Sequence, residues 1–349
     1  QSVRGDLVFD RLSMHLSGAS GVIGEGLQFS NLRADIADMA HQPVVEVQAD
    51  VRGPAQPALR LVRQSPLGQM LAGTLDQAQV SGTLSHRLRL SIPVLQSAQT
   101  RVQGSVQLQD NDVQLMPQVP LIERARGQVL YTEKGFELKG VQGFALGGPV
   151  QLQGGWRVDS PAQDASSLAI RAEGVATAQG LQQSAQLQAL APLWRQVQGQ
   201  TAYTAQVGWR SGLPELDIRS QLQGLALQLP APLGKTAATS VSLQVSSQVL
   251  ANGQRDRLSV TLQDRASAVY IRDLAREGDG LPRVRQGTLT LGTGPASAPP
   301  MPASGVSALL VMDRLSLDDW RALQPDTAAA WGPDADAAQT ALLGYLPNR

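Results

Sequence analysis

Apolar and polar residues alternate one for one along most of this 349-residue chain. In residues 102–109, for example, Val, Gly, Val and Leu alternate with Gln, Ser, Gln and Gln, and residues 205–210 and 241–246 repeat the pattern. Because successive side chains of a strand point to opposite faces, this alternation gives each strand one apolar and one polar face. The pattern predicts a long series of antiparallel strands with one face in water.

The alternation is lost at a few places, which divide the chain into segments. Residues 57–75 have apolar residues near helical spacing, and Ser65-Pro66 is typical of a helix start. A Gly, Pro and Ala-rich stretch follows the last long strand, and Ser316 and Asp319 form a capping pattern before a helix over about 317–330. We predict, in chain order, an N-terminal β segment (1–56), a short helical insertion (57–75), a continuous β segment (76–291), a linker (292–304) and a strand plus C-terminal helix (305–349).

Turn-forming residues suggest where some strands end. Asp110-Asn111-Asp112 predicts a turn between strands at 102–108 and 113–115. Four glycines in residues 18–26 predict a flexible connection, and residues 175–197 predict a short helix. No β-α-β alternation is present, so the fold class is mainly β with antiparallel strands.

Composition excludes several functions. Lys+Arg and Asp+Glu are 29 each, so no basic field is available to bind nucleic acid or anionic lipid headgroups. The absence of cysteine removes disulfides, thiolate catalysis and zinc–sulfur sites. His15, His41 and His86 are dispersed, and we interpret each as a surface or strand-edge residue. We therefore predict no catalytic residue, no metal site and no cofactor.

Two architectures fit the alternation. Two packed sheets with a filled core would use the same pattern. However, the chain has only five Trp, four Tyr and four Phe residues, which supply little bulk for a thick core. The strands also continue without a clear domain division. We therefore favour a single twisted sheet curled around an unfilled apolar interior.

Several short motifs resemble the AsmA-like family of bacterial envelope proteins, and within it the YhdP family. The resemblance is best over residues 65–249 and depends on the order of the motifs. The motifs are 65–67, 80–84, 88–93, 102–106, 110–112, 127–129 with Phe136, 152–156, 229–235 and 315–320. The most specific is 229–235, Leu-Pro-Ala-Pro-Leu-Gly-Lys.

The resemblance implies a bridge-like lipid transfer protein of the Gram-negative periplasm. Such a protein shields phospholipid acyl chains in a hydrophobic β-groove between the inner and outer membranes. This chain would be an internal segment, with an inner-membrane anchor outside it and possible partner proteins in the periplasm or at the outer membrane. We predict that one apolar face lines the groove, with these candidate lipid-groove residues: Leu88, Leu90, Ile92, Val102, Val106, Leu108, Val129, Leu152, Val207, Leu225, Leu227, Leu229, Val241, Leu243 and Val245.

Two other functions remain open from the sequence. One is a passive periplasmic scaffold or adhesin-like β protein with a filled core. The other is a carbohydrate-active enzyme on a β scaffold, which is the weakest because no paired carboxylates or aromatic platforms can be identified. Bound lipid would separate the groove from both.

Overall fold

The computed structural model describes residues 3–64, 75, 77–117, 119–157, 167–210, 213–250, 253–274, 282–292, 299–311, 316 and 345. The mainly β prediction is confirmed, since the described residues contain 19 strands. The strands are β1 (Val3–Asp10), β2 (Ser13–Ile23), β3 (Leu27–Ile36), β4 (Val44–Pro54), β5 (Gln79–Val80), β6 (Thr83–Pro93), β7 (Arg101–Gln114), β8 (Ile122–Thr132), β9 (Gly135–Ala145), β10 (Gly148–Arg157), β11 (Ser167–Thr177), β12 (Val197–Arg210), β13 (Leu213–Ser220), β14 (Leu225–Leu227), β15 (Leu243–Val249), β16 (Arg255–Leu262), β17 (Ala266–Asp273), β18 (Arg283–Gly292) and β19 (Gly305–Val311).

Helices are few and short in the same residues. They are α1 (Ala55–Gln64), α2 (Ala178–Gln183) and α3 (Ala191–Trp194), with 3₁₀ turns at Ser97–Gln99 and Ala185–Leu190. The Thr177 hydroxyl caps α2 by accepting a 3.0 Å hydrogen bond from the Gly180 N–H. Most of the predicted insertion beyond Gln64 and the predicted helix at 317–330 lie outside the described residues.

The chain divides into two compact units. Unit 1 contains Gln1–Phe144 and Gln151–Leu168. Its strands β1 to β4 pair in chain order, β4 pairs with β6, and β6 to β9 again pair in chain order. Short strand β5 pairs with β7. Every one of these pairings is antiparallel, as the alternation predicts.

Unit 2 contains Ala145–Val150 and Ala169–Arg349. Its strands β11, β12, β13, β15, β16, β17 and β18 form an antiparallel ladder, and β14 pairs with β12. The last pair is different, because β19 runs parallel to β18. A parallel neighbour needs a connection of about a dozen residues, which 293–304 provide. The sheet of this unit is therefore mixed but predominantly antiparallel, as the alternation predicts.

The acidic segment at 110–112 is a bulge within β7, so the predicted turn is wrong. The register shifts on both sides of Asn111, and Asp110 has a φ of 58°. The Asn111 side chain is fully buried; its Oδ1 accepts from the Gln109 N–H at 2.7 Å. Its Nδ2 donates to the carbonyls of Ser81 (2.8 Å) and Thr83 (3.1 Å). These bonds hold the strand together where the sequence alone suggests an end.

The glycine-rich connection is shorter than predicted. Strand β2 passes through Gly18 and Gly21 to Ile23, and the turn occupies only residues 24–26. Gly18 has a φ of 61° and lies where the pairing with β3 shifts. Gly18 therefore lies in a β-bulge, where glycine adopts the positive φ, rather than in a loop.

Candidate functional site

The ladder of unit 1 brings apolar side chains together on one face, which we call face 1. Antiparallel partners share a face, and the register pairs Leu90 with Val102 and Val106 with Val129. Face 1 contains seven of the predicted lipid-groove residues by register, namely Leu88, Leu90, Ile92, Val102, Val106, Leu108 and Val129. Leu152 of β10 packs against the cluster of Leu108, Ala125 and Val141 and joins the same set.

Face 1 is covered incompletely. Val102 and Leu108 are buried, with exposed fractions of 4% and 8%. The other predicted residues of this face, Leu88, Leu90, Ile92, Val106, Val129 and Leu152, are only partly buried, although most lie on interior strands of the ladder. A filled core would enclose these side chains. Face 1 therefore retains apolar surface that a ligand can cover.

The opposite face of the same strands is polar. Gln103 and Gln107 of β7 are exposed there. Arg87 of β6 donates to Asp50 of β4 at 3.0 Å, and Ser91 donates to the neighbouring Glu46 at 2.6 Å. Hydrogen bonds from Asn31 and Arg87 lower the pKa of Asp50. This face carries cross-strand pairs that suit contact with water.

Face 1 includes one polar pair, His86 and Tyr131. His86 lies opposite Val106 in the β6–β7 register, and Tyr131 lies opposite Gly104. The His86 Nε2 is hydrogen-bonded to the Tyr131 hydroxyl, and the two rings stack with centroids 5.5 Å apart. A Cβ at Gly104 would overlap the Tyr131 hydroxyl oxygen, so only glycine leaves room for this ring.

The interpretation of His86 as a surface or strand-edge residue is wrong. Strand β6 lies between β4 and β7, and the His86 ring is partly buried. Burial lowers the pKa of His86 to about 4, and burial raises the pKa of Tyr131. The pair is therefore neutral near pH 7. The signal in the sequence is that His86 occupies the apolar phase of its strand, between Leu84 and Leu88.

Unit 2 has its own apolar face, face 2, on β11 to β13 and β15 to β18. Val207 lies opposite Ile170 and Leu216. Val245 lies opposite Ile218 and Val260, and Leu243 lies opposite Leu262. The register therefore places three more predicted residues, Val207, Leu243 and Val245, on one face.

The remaining predicted residues of unit 2 differ in position. Leu225 belongs to a buried cluster with Val197 and Leu222, and the partly buried Leu227 and Leu243 pack against that cluster. Val241 is only 1% exposed, precedes β15, and is better described as a core residue. Leu229 follows β14, and no strand pairing of the described residues brings it to face 2.

Face 2 also contains a buried ion pair that the sequence analysis missed. Asp256 is 1% exposed and accepts hydrogen bonds from Ser247 Oγ (2.8 Å) and from Nε (3.0 Å) and Nη2 of Arg272. The Arg272 Nη1 donates to the Tyr345 hydroxyl at 3.1 Å. Desolvation alone would lower the pKa of Arg272, but the hydrogen bonds to Asp256 and Tyr345 outweigh it and raise the pKa.

A signal for this pair is present in the sequence. Asp256 has the same strand phase as Leu258, and Arg272 has the same phase as Tyr270. Each charge therefore occupies a position where the alternation places apolar residues. In the structure they lie directly opposite each other in the β16–β17 register.

The described residues contain no group of three or more His, Asp and Glu side chains that could hold a metal ion. None of the helices in that same part of the chain has the length and apolar content to span a bilayer. Both ladders carry an apolar face, and exposed polar side chains such as Gln107 and Gln244 lie on the opposite sides, which defines a class of two-faced β-sheet protein.

The chain belongs to the YhdP protein family, whose model matches residues 1–347. A curated relative, the intermembrane phospholipid transporter YhdP of Escherichia coli (strain K12), is 22% identical over 245 residues. That match covers 69% of the chain but 18% of the relative, so the chain spans less than a fifth of the relative's length. No solved structure matches the chain significantly. The resemblance noted from the sequence motifs is thus confirmed.

Proposed function

We propose that this chain is a segment of a periplasm-spanning lipid transport protein that shields phospholipid acyl chains in a hydrophobic β-groove between the inner and outer membranes. The observation that carries the proposal is face 1, where predicted groove residues share one face and stay partly uncovered. Membership of the YhdP family supports it, as does a relative named as an intermembrane phospholipid transporter.

The free energy of hydration explains why a groove is needed. Moving one CH₂ group from water to an apolar environment is worth about 0.8 kcal/mol. Exposing a ~16-carbon acyl chain to water therefore costs on the order of 12 kcal/mol by the same coefficient. An apolar face removes most of this cost at each step. Movement along it exchanges one apolar contact for another, so no single position has to bind tightly.

The charge distribution agrees with this role. The chain has no net charge, and the charged side chains near face 1 lie on the opposite side of the strands, as Arg87 and Asp50 do. Headgroups can then remain in water at the margin of the groove. The proposal includes an inner-membrane anchor outside this segment, partner proteins at the membranes, and no enzymatic step.

Site-specific photo-crosslinking in the full-length protein tests the proposal. A photoreactive side chain at Leu90 or Leu243, which are partly buried on faces 1 and 2, should capture phospholipid. The matched controls are Gln107 and Gln244, which are exposed on the opposite faces and should capture none. Equal capture at apolar and polar positions, or capture at neither, would instead favour a scaffold with a filled core.

A further inference from the structure

The His86–Tyr131 pair has one more hydrogen-bond donor than it uses. A neutral imidazole has one N–H and one acceptor nitrogen, and a phenol has one O–H and an acceptor oxygen. The bond between Nε2 and the hydroxyl uses one donor and one acceptor, whichever tautomer is present. The donor that remains is either the Nδ1–H of His86 or the O–H of Tyr131. No other described residue accepts a hydrogen bond from either side chain.

This remaining donor lies within an apolar surface. The neighbours opposite His86 are Val51 and Val106, and Tyr131 lies between Gly104 and Phe136. Among the described residues, only Ser307 has a fully enclosed side-chain polar atom without a partner, so the unpartnered Nδ1 of His86 is not fully enclosed on face 1. A donor in such surroundings gains free energy from any acceptor that arrives with an apolar ligand.

We propose that His86 and Tyr131 form a binding site for the ester carbonyl of a diacyl lipid whose chains lie on face 1. This inference rests on the proposed function, because it needs acyl chains on that face. The ester carbonyl is the first polar atom beyond the acyl chain, so it reaches the pair while the chain covers the valines around it.

The electrostatics favour a carbonyl over a phosphate. Both members of the pair are neutral near pH 7, and the nearest cation of β6, Arg87, is paired with Asp50 on the opposite face. A phosphate would have to leave water for a surface without a compensating positive charge, which is costly. A neutral carbonyl loses little hydration and gains one hydrogen bond.

A competition between ester and ether lipids tests the site. The full-length protein is offered vesicles with equal amounts of diester and diether phosphatidylethanolamine of matched chain length. The bound lipids are then extracted and quantified by mass spectrometry. One net hydrogen bond corresponds to roughly fivefold, so the wild type should retain about five times more diester lipid. The double variant His86→Phe with Tyr131→Phe keeps two rings but no donor, and its ratio should fall to about one.

Single variants and a control show whether the ratio of retained diester to diether lipid depends on the donor of this pair. His86→Phe retains the Tyr131 hydroxyl and Tyr131→Phe retains an imidazole N–H, so each single variant should keep a preference for the diester lipid. Ser105→Ala, on the opposite face of β7, should behave as the wild type. If the phenylalanine double variant does not fold, as judged by circular dichroism, His86→Leu with Tyr131→Phe replaces it.

The possible failures are distinguishable. Equal retention of both lipids by the wild type, or an unchanged ratio in the double variant, overturns the carbonyl site and leaves the groove intact. If neither lipid is recovered from any sample, the groove and the carbonyl site are both overturned.

Discussion

The two apolar faces contain polar groups of different kinds. On face 1 the polar group is the neutral His86–Tyr131 pair, which is left with one unused donor. On face 2 it is the Asp256–Arg272 ion pair, where Asp256 accepts from Ser247 and Arg272, and Arg272 also donates to Tyr345. The His86–Tyr131 pair can still donate a hydrogen bond to a ligand, whereas the Asp256–Arg272 pair is hydrogen-bonded within the protein.

The difference shows how one strand pattern can build both open and covered apolar surface. A buried ion pair is most stable when its remaining N–H groups are also hydrogen-bonded, and the Tyr345 hydroxyl accepts one such bond from Arg272. The Tyr345 ring meets Tyr270 edge-on at 4.9 Å, and the Tyr270 hydroxyl donates to the Tyr345 carbonyl at 3.1 Å. Tyr345 therefore covers part of face 2 around β16 and β17, while face 1 keeps partly exposed valines and leucines at its centre.

The largest effect should come from breaking the ion pair of face 2. Arg272→Met leaves the buried Asp256 carboxylate without its cation, and we expect a loss of about 3–5 kcal/mol in the free energy of unfolding. Urea unfolding followed by tryptophan fluorescence measures this loss. The control is Arg219→Met, which removes the pair between the exposed Arg219 and the partly exposed Asp217 and should cost less than about 1 kcal/mol. Similar losses in the two variants would mean that Asp256 does not depend on Arg272.

The next effect concerns the neutral pair of face 1 and depends on pH. The pKa of His86 is about 4 in the folded protein and 6.5 in a model compound, so between these values the unfolded chain binds more protons. The stabilisation is complete above about pH 6.5 and is lost as the pH falls towards 4. The amount is about 3 kcal/mol at 1.36 kcal/mol for each pH unit.

Comparison of two proteins isolates this contribution. Unfolding of the wild type and of His86→Phe is measured from pH 7 to pH 4, and the wild type should lose more stability. Tyr131 is the titratable group that faces His86, and it stays protonated throughout; Asp50 and Arg87 lie on the opposite face and affect both proteins alike. Parallel pH profiles would show that His86 is not held neutral.

A charge placed on each side of β7 should then distinguish the two faces of unit 1. Val106→Asp puts a carboxylate on face 1, and we expect a cost of about 2 kcal/mol, because the partly exposed site lets the charge reach some water. Lipid delivery by the full-length protein should stop. Gln107→Asp puts the same charge in water and should change stability by less than about 0.5 kcal/mol. Equal defects in lipid delivery would show that both sides matter to transport.

The sequence predicts the faces well because a period of two is fixed by strand geometry. Val106 and Gln107 lie on opposite faces wherever β7 pairs, and this needs no knowledge of its neighbours. The bulge at Asn111 could not be predicted, since it depends on carbonyls of Ser81 and Thr83 about 30 residues away in sequence. Local turn chemistry at 110–112 was therefore overridden by tertiary hydrogen bonds.

The polar groups of the candidate site were partly visible in the sequence. Asp256 and Arg272 each break the apolar phase, but the strand register that makes them partners follows from the fold.

Lys235, the last residue of the most specific motif, is another residue whose role follows from the fold. The structure buries it and directs its Nζ to the carbonyls of Leu222 (2.7 Å) and Leu225, which fixes the segment around β14. That motif is explained by packing rather than by ligand chemistry.

The smallest expected effect tests whether Tyr345 is held on face 2 by its hydroxyl. Tyr345→Phe removes the acceptor for Arg272 Nη1 but keeps the ring against Tyr270 and the backbone carbonyl that Tyr270 binds. We expect a loss of about 1 kcal/mol, far less than for Arg272→Met, because Asp256 keeps its cation. The measurement is urea unfolding, with Tyr203→Phe as the control for loss of a partly buried hydroxyl elsewhere in unit 2. A loss as large as that of Arg272→Met would mean that the ion pair depends on the Tyr345 hydroxyl for its geometry. Tyr345 would then be required both to cover face 2 and to stabilise its buried charge.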